Sequence, residues 1–243
     1  MMGFGTEKVE EEIASLVPAA KVERLDFDTA RTRTAYERII SDFEKGKTQI
    51  LIGTQMLSKG LDFGNVSIVG ILNADNLMNY PDFRAHERAF QLMVQVSGRA
   101  GRRDKRGTVV LQTSQPEHPL IRMVQHFAYK EMVRLQLSER SMFRYPPYYR
   151  LIVLVLRSSN ESVLQELSVI YAEKLHARLG ERALGPVTPP VTRVQTLHIK
   201  QIVLKIEIAA AIAPVRAILE AVHSGMPRYL PFRPLMVHSA VDT

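Results

Sequence analysis

Apolar residues recur along the first 118 positions in two alternating patterns, one with the helical period and one with the short continuous runs of strands. The run at 66–72 is almost wholly apolar, which is typical of a strand buried on both faces of a parallel sheet. Because helix and strand alternate in short units, this part predicts a three-layer α/β domain. The predicted helices are 7–16, 34–45 and 84–96, and the predicted strands are 22–27, 49–52, 66–72 and 107–113.

The order of elements changes at the turn-rich stretch RYPPYYR, residues 144–150, which follows a long predicted helix at 119–142. Beyond it the pattern predicts β-α-β-β-α-β order, hence a small antiparallel sheet backed by two helices. The elements are strand 151–156, helix 162–179, a strand near Val191, strand 201–208, helix 214–223 and strand 235–238. The predicted domains are an α/β domain at 1–118, a connecting helix at 119–143 and an α+β domain at 144–243.

Charge and composition narrow the classes of function. The formal net charge is +7; basic residues outnumber acidic ones by 20 to 18 in residues 1–142 and by 12 to 7 in residues 143–243. A polyanion partner is plausible for the second part, although a solvated basic surface explains the same charge. No apolar run reaches the roughly 18 residues of a membrane span, and the start of the chain does not resemble a secretion signal. The absence of cysteine excludes disulfides, thiolate zinc sites and cysteine nucleophiles within this chain.

The octapeptide QVSGRAGR at 95–102 is the clearest candidate site. Arg99 and Arg102 are three residues apart near a predicted helix end, and each presents a planar set of donors that matches phosphate oxygens. Gly98 and Gly101 keep side chains out of the path of a ligand. The alternative is an ordinary helix C-terminus, in which the glycines end the helix and the arginines oppose its dipole. The pattern favours phosphate binding.

This octapeptide resembles motif VI of superfamily 2 helicases, and ILIGTQMLSKGLDF at 50–63 resembles their motif V. Further segments narrow the resemblance to the PriA family of primosomal helicases, also called primosomal protein N prime, and extend it over nearly the whole chain. These segments are GTEKVEEEI at 5–13, RLDFDTAR at 24–31, PDFRAHERAFQLMVQVSGRAGR at 81–102, PEHPLI at 116–121, RYPPYYR at 144–150 and GPVTPPVTRV at 185–194.

The resemblance implies roles in ATP hydrolysis for the octapeptide. Arg102 would be an arginine finger that reaches the γ-phosphate of ATP bound on another lobe, and Arg99 would assist it or lock the site. Gln95 would orient the attacking water or the arginines. The implied nucleotide-binding residues are Gly60, Asp62, Gly98 and Gly101.

It also implies a DNA track. Gly53 and Thr54 would end a strand at the nucleic-acid side of the lobe, where a backbone N–H and a hydroxyl bind a DNA phosphate. Lys59 is either a further phosphate contact or a surface charge. The tyrosines and arginines of RYPPYYR either stack on exposed bases at a fork or pack a hinge between domains. The candidate DNA-binding residues are Gly53, Thr54, Lys59, Arg103, Lys105, Arg106, Tyr148 and Arg150.

Two motifs of a complete helicase do not occur in this sequence, namely the G-x-x-x-x-G-K-[ST] phosphate loop and a D-E-x-H-like acidic motif. The resemblance therefore implies the C-terminal half of the helicase: a RecA-like lobe 2, lacking its first strand and the zinc module, followed by the C-terminal domain. ATP and Mg²⁺ would be bound mainly by the other lobe, and zinc only by the complete protein. The 243-residue chain alone would then be inactive as an ATP hydrolase.

The implied function is that of an ATP-dependent 3′–5′ DNA helicase that recognises stalled or branched replication forks and promotes primosome assembly and replication restart. Implied partners are forked and single-stranded DNA, single-stranded DNA-binding protein and primosome proteins, in the bacterial cytoplasm at the nucleoid and with no membrane. Two alternatives stay open. They are another superfamily 2 motor, RecG-like or an RNA helicase, and a non-catalytic fork-binding or interaction module.

Overall fold

The structure, a computed structural model, describes residues 5–54, 66–98, 100–101 and 107–226, and the backbone of a strand at Leu235–Ser239. The chain divides into two compact units, Met1–Val133 and Arg134–Thr243, and each mixes helices with strands. Within the described ranges no helix is both long enough and apolar enough to cross a membrane.

The first unit alternates helices and strands as the sequence pattern predicts, with bounds that differ by a few residues. One short helix, α3, was not predicted. The elements are α1 (Thr6–Leu16), β1 (Val22–Leu25), α2 (Arg33–Glu44), β2 (Ile50–Gly53), β3 (Ile68–Ile71), α3 (Ala74–Met78), α4 (Ala85–Ser97), β4 (Thr108–Leu111) and α5 (Pro119–Gln125).

The strands of this unit form two parallel pairs in the described residues, β1 with β2 and β3 with β4. The parallel pairing agrees with the sequence pattern. A three-layer domain built on one continuous sheet stays a prediction. The expected burial of 66–72 on both faces is wrong for Ile68, which is 67% exposed although Ile71 is buried. An apolar run shows which side chains are suited to burial, but not which of them other elements will cover. In this strand the described neighbours bury Ile71 and leave Ile68 exposed.

Two apolar clusters support the unit. In one, Phe90 and Met93 of α4 pack with Met78 of α3 and Leu120 of α5, which fixes the helix that leads into the octapeptide. In the other, the fully buried Leu25 of β1 packs with residues of α2 and β2 and with Val66. Burial of each such large side chain contributes about 1.5–3 kcal/mol to folding.

The predicted helix at 119–142 is two helices, α5 and α6 (Tyr129–Met142). The break occurs at Phe127, whose φ of 51° is left-handed, and the amide of Ala128 donates to the carbonyl of Met123 at 2.8 Å. This geometry closes the end of α5. It was not predicted because left-handed helix ends usually carry glycine, and no glycine is present here.

The second unit is an antiparallel sheet with two long helices. Its sheet order is β6–β8–β5–β9, and β7 pairs with β8 beside β6. The elements are β5 (Tyr149–Ser158), α7 (Glu161–Leu179), β6 (Ala183–Val187), β7 (Arg193–Val194), β8 (Leu197–Glu207), α8 (Ile212–Ser224) and β9 (Leu235–Ser239).

The pattern predicted one strand near Val191, whereas the structure has two short strands, β6 before it and β7 just after it, and Val191 itself lies in the connection between them. The core of the unit consists of alternate residues of β5 and β8, such as Leu156, Ile202 and Leu204, packed against α7 and α8. These side chains point to one face of the sheet because successive residues of a strand alternate between faces.

Candidate nucleotide and nucleic-acid site

The octapeptide starts on the last turn of α4 and continues past its end. Gly98 caps the helix, and its amide donates to the carbonyl of Val94 at 3.0 Å. Gln95, one turn earlier, is exposed. The structure therefore places Gln95 and Gly98 together at a helix C-terminus. A helix end at this place is compatible with phosphate binding and with an ordinary helix C-terminus. The side-chain amide of Gln95 is accessible to a ligand in either case.

Beyond the helix, the octapeptide is anchored to the start of β3. The amide of Gly101 donates to the carbonyl of Val66 at 3.1 Å, and Gly101 has a φ of 82°, which glycine adopts without strain. Val66 follows the motif V stretch by three residues and also packs with the cluster around Leu25. One hydrogen bond thus joins motif VI to the chain segment that leaves motif V.

Gly107 and the octapeptide are in close backbone contact. A β-carbon at Gly107 would overlap the backbone of Ala100 and Gly101. The described residues on either side of 102–106 therefore lie against each other, and glycine is the residue that permits this approach.

We expect Gly107→Ala to destabilise the chain by about 1–3 kcal/mol, because the new methyl group must displace backbone rather than a flexible side chain. Urea unfolding followed by circular dichroism measures this. Gly70→Ala is the matched control, since a β-carbon at Gly70 of β3 meets nothing within 4 Å. Equal stability of the two variants would show that the contact at Gly107 is not constrained.

The predicted DNA residues Gly53 and Thr54 lie at the carboxyl end of β2. Gly53 is the register partner of Leu25, the last residue of β1, and Thr54 is exposed directly after it. In open parallel sheets, ligands bind at the carboxyl ends of strands. The position of Thr54 therefore leaves its hydroxyl accessible to a phosphate.

The turn that follows β1 is held by Asp26, a buried residue at the same end of the strands. Its carboxylate accepts hydrogen bonds from the amides of Asp28 and Thr29, both at 3.0 Å, and from the hydroxyl of Thr6 at 2.6 Å. Sequence analysis did not single out this network. The Asp-x-x-Thr spacing within RLDFDTAR is the signal that could have indicated it, because aspartate and threonine side chains commonly cap such turns.

The network also sets the acidity of Asp26. Burial disfavours the charged form, but hydrogen bonds from Thr6 and Thr29 and the charge of Arg24 outweigh it and lower the pKa of Asp26 to about 2. The ordinary value of 3.8 applies once the chain unfolds. The charged carboxylate therefore stabilises the fold above pH of about 4, and this contribution is lost as the pH falls towards 2.

We expect Asp26→Asn to lower the free energy of unfolding at pH 7 by about 1–2 kcal/mol and to flatten its decline between about pH 4 and pH 2. Urea unfolding at pH 7, 4 and 3 measures both effects. Asp28→Asn is the control, because its exposed side chain pairs with Arg31 at the surface. Parallel pH profiles for the wild type and Asp26→Asn would contradict the assignment.

The RYPPYYR stretch packs on the sheet of the second unit. The ammonium of Lys205 on β8 lies 3.7 Å from the ring centroid of Tyr145 and donates to the carbonyl of Phe143 at 2.6 Å. Burial, and then the nearby charge of Arg144, lower the pKa of Lys205. Lys205 therefore fixes the start of the stretch to the sheet.

The two predicted DNA residues of this stretch lie in different surroundings. The guanidinium of Arg150 donates to the carbonyl of Ala210 at 2.8 Å and approaches that of Glu207 at 3.5 Å, so it closes the end of β8. Tyr148 is exposed. Tyr145 and Arg150 thus pack within the second unit, and Tyr148 is exposed to a partner.

The remaining predicted site residues lie outside the described part of the chain. These are Gly60, Asp62 and Arg99 and Arg102 of the nucleotide site, and Lys59, Arg103, Lys105 and Arg106 of the DNA track. No group of three or more potential metal ligands occurs among the described residues.

Comparison with known proteins assigns both parts of the chain. Residues 5–104 match the helicase conserved C-terminal domain, which fits a RecA-like lobe, and residues 141–242 match the primosomal protein N C-terminal domain. The solved structure of the C-terminal domain of the DEAD-box protein Dbp5 is similar over 55% of this chain and 77% of the Dbp5 chain. The sequence identity is 18% and the TM-score is 0.35. That likeness is too slight to carry an argument.

Curated relatives share much more sequence. Replication restart protein PriA of Bacillus subtilis strain 168 is 42% identical over 209 residues, covering 84% of this chain and 26% of that protein. The same protein of Synechocystis is 38% identical, with 84% and 25% covered, and that of Haemophilus influenzae is 40% identical, with 79% and 26% covered. The chain thus spans about a quarter of the length of these relatives. With both domain matches and this identity over most of its length, the chain belongs to the PriA family.

Proposed function

We propose that this chain acts as the second motor lobe and the C-terminal domain of an ATP-dependent 3′–5′ DNA helicase that recognises stalled or branched replication forks. In this role it promotes primosome assembly and replication restart, in the bacterial cytoplasm at the nucleoid. Its partners are forked and single-stranded DNA, single-stranded DNA-binding protein and primosome proteins. Membership of the PriA family supports the proposal.

The observation that carries it is the hydrogen bond from Gly101 to Val66. Motif V begins on β2 beside Thr54, the proposed phosphate contact, and the chain that leaves it reaches Val66, which is bonded to motif VI. A change of position at the octapeptide can thus be transmitted through one covalent segment to the strand end that holds DNA. This is the coupling that a motor lobe needs between its nucleotide and its track.

The chain supplies part of the nucleotide site. Bound ATP with Mg²⁺ supplies the phosphoryl group and the free energy of its hydrolysis. Arg102 and Arg99 stabilise the charge that develops on that group, and Gln95 orients the water or the arginines. The end of α4 supports these roles, because Gln95 and the capping residue Gly98 are exposed. This chain has no cysteine and so offers no thiolate ligand for the zinc of the complete protein.

The test is steady-state ATP turnover of the complete protein, with and without forked DNA, for the wild type and an Arg102 variant. Turnover that depends on both DNA and Arg102 supports the motor function. Absence of turnover in the wild type, combined with intact fork binding, would favour the non-catalytic module. Stimulation by RNA but not by DNA would favour another superfamily 2 motor.

A further inference from the structure

Phe27 has an unusual position for a phenylalanine. It is 82% exposed, more than any other large apolar side chain in the described part of the chain. Isolated exposed apolar residues are common, but this one lies on a rigid support. The hydroxyl of Thr29 donates to the carbonyl of Arg24 at 2.8 Å and accepts from the amide of Asp26 at 3.0 Å, and Asp26 in turn binds the amides of Asp28 and Thr29. The turn therefore holds the backbone of Phe27 in place while its side chain is exposed to solvent. A ligand that binds the ring would lose little affinity to ordering of this turn, because the turn is already ordered.

The register of the strands places Phe27 beside the proposed phosphate contact. Leu25 and Gly53 are partners at the ends of β1 and β2. Thr54 comes one residue after that pair and Phe27 comes two residues after it, so both lie at the same carboxyl edge. An aromatic ring next to a phosphate-binding hydroxyl is the combination that holds single strands, in which the backbone is bound and a base stacks.

Two arginines flank the same edge. Arg31 and Arg33 have side chains that are 72% and 91% exposed, and they pair with Asp28 at 2.9 Å and with Glu37 at 2.7 Å. Exposed ion pairs of this kind are weak, so a phosphate can replace either carboxylate. Arg33 is the first residue of α2 and Arg31 precedes it by two residues, so both lie within six residues of Phe27 along the chain. Cationic side chains therefore follow Phe27 closely along the chain.

The distribution of exposed apolar residues argues against a protein partner at this edge. Leu16, at 78% the next most exposed of these side chains in the described residues, ends α1. The first residue of that helix, Thr6, is bonded to Asp26 at the carboxyl edge. Eleven residues of helix span roughly 16 Å, so Leu16 lies near the opposite edge and does not extend the surface around Phe27.

We propose that Phe27 stacks on an unpaired base of single-stranded DNA whose adjacent phosphate is held at Thr54, with Arg31 and Arg33 as further phosphate contacts. This contact rests on the proposed function, because it places the ring on the DNA track assigned to Thr54. The ring is a positioning element for the strand. It takes no part in ATP hydrolysis and accepts any base, since every base offers a face for stacking.

The chain contains no tryptophan, so Phe27→Trp introduces a single fluorescent reporter at the proposed contact. We expect a thymidine oligonucleotide of about 15 nucleotides to quench this fluorescence and a blunt duplex of equal length to leave it nearly unchanged. Anisotropy of the labelled oligonucleotide then gives affinities of the 243-residue chain and its variants. Phe27→Ala should weaken binding of the single strand roughly tenfold, and Phe27→Tyr should retain wild-type affinity. Phe27→Leu, which keeps apolar bulk without a stacking face, should behave like Phe27→Ala.

Leu16→Ala is the matched control, an equally exposed apolar truncation at the other edge, and its affinity should equal that of the wild type. If Phe27→Ala binds as tightly as the wild type while Thr54→Val binds more weakly, stacking is overturned and the DNA track stands. If Phe27→Leu keeps full affinity, the contact is apolar rather than aromatic and the proposal also fails. If the wild-type chain binds neither the single strand nor a fork, the track and the stacking contact fail together.

Discussion

ATP turnover by the complete protein is expected to fall by about 10³-fold or more when Arg102 is replaced by lysine, while affinity for forked DNA changes little. Lysine keeps the positive charge but loses the planar set of donors that contacts two phosphate oxygens at once. The loss should appear in turnover because the proposed finger would act on charge that develops during phosphoryl transfer. Steady-state turnover with and without forked DNA, together with DNA binding by anisotropy, measures the two quantities separately.

The design needs a control for the chemical change itself. Arg122→Lys is suitable, because Arg122 is an exposed arginine of α5 that pairs with Glu117 at the surface. We expect wild-type turnover for this control. Normal turnover by Arg102→Lys would remove the finger assignment, whereas an equal loss of turnover and of DNA affinity would indicate a structural role for Arg102 instead.

The end of α4 shows how much of the candidate site can be predicted from sequence. A helix end at Gly98 was the alternative interpretation of the octapeptide, and Gly98 does cap α4, because a glycine after a periodic apolar segment commonly ends a helix. The bond between Gly101 and Val66 joins residues 35 positions apart. No local pattern predicts such a contact, since it depends on how the strands and α4 pack in three dimensions.

Strand β6 shows a different reason for failure. It contains Gly185 and Pro186, residue types that are depleted in strands, and no strand was predicted over 183–187. Among the described residues β6 is an edge strand that pairs with β8, and the register shifts between Leu184 and Val187. Proline is tolerated at such an edge or irregularity because the ladder there does not need its missing N–H. Pairing with β8 therefore forms a strand that the residues of β6 do not favour locally.

The Asp26 turn lies between these cases. RLDFDTAR served only as a mark of family resemblance in the sequence, yet its side chains build the support that exposes Phe27. Hydrogen bonds from Asp26 and Thr29 follow from their spacing. The exposure of Phe27 does not, because an apolar residue after a strand is ordinarily expected to be buried. Phenylalanine is usually buried, and the exposure of Phe27 departs from that rule, as residues at functional sites often do.

Loss of one buried side chain should separate the roles of the two units. Leu204→Ala empties a fully buried position of β8, opposite Ile152 of β5 and Ala183 of β6, and should cost about 2–5 kcal/mol. That is a large part of the total stability of roughly 5–15 kcal/mol of a domain. Under conditions in which Leu204→Ala unfolds this unit, we expect weaker fork binding by the complete protein with a shallower salt dependence, because the more basic part of the chain then loses its structure. ATP turnover without DNA should persist, since the octapeptide belongs to the first unit.

Leu184→Ala is the control, a 43% exposed leucine of β6 whose truncation should cost less than about 0.5 kcal/mol. Unchanged fork binding by an unfolded second unit would assign fork recognition elsewhere in the complete protein.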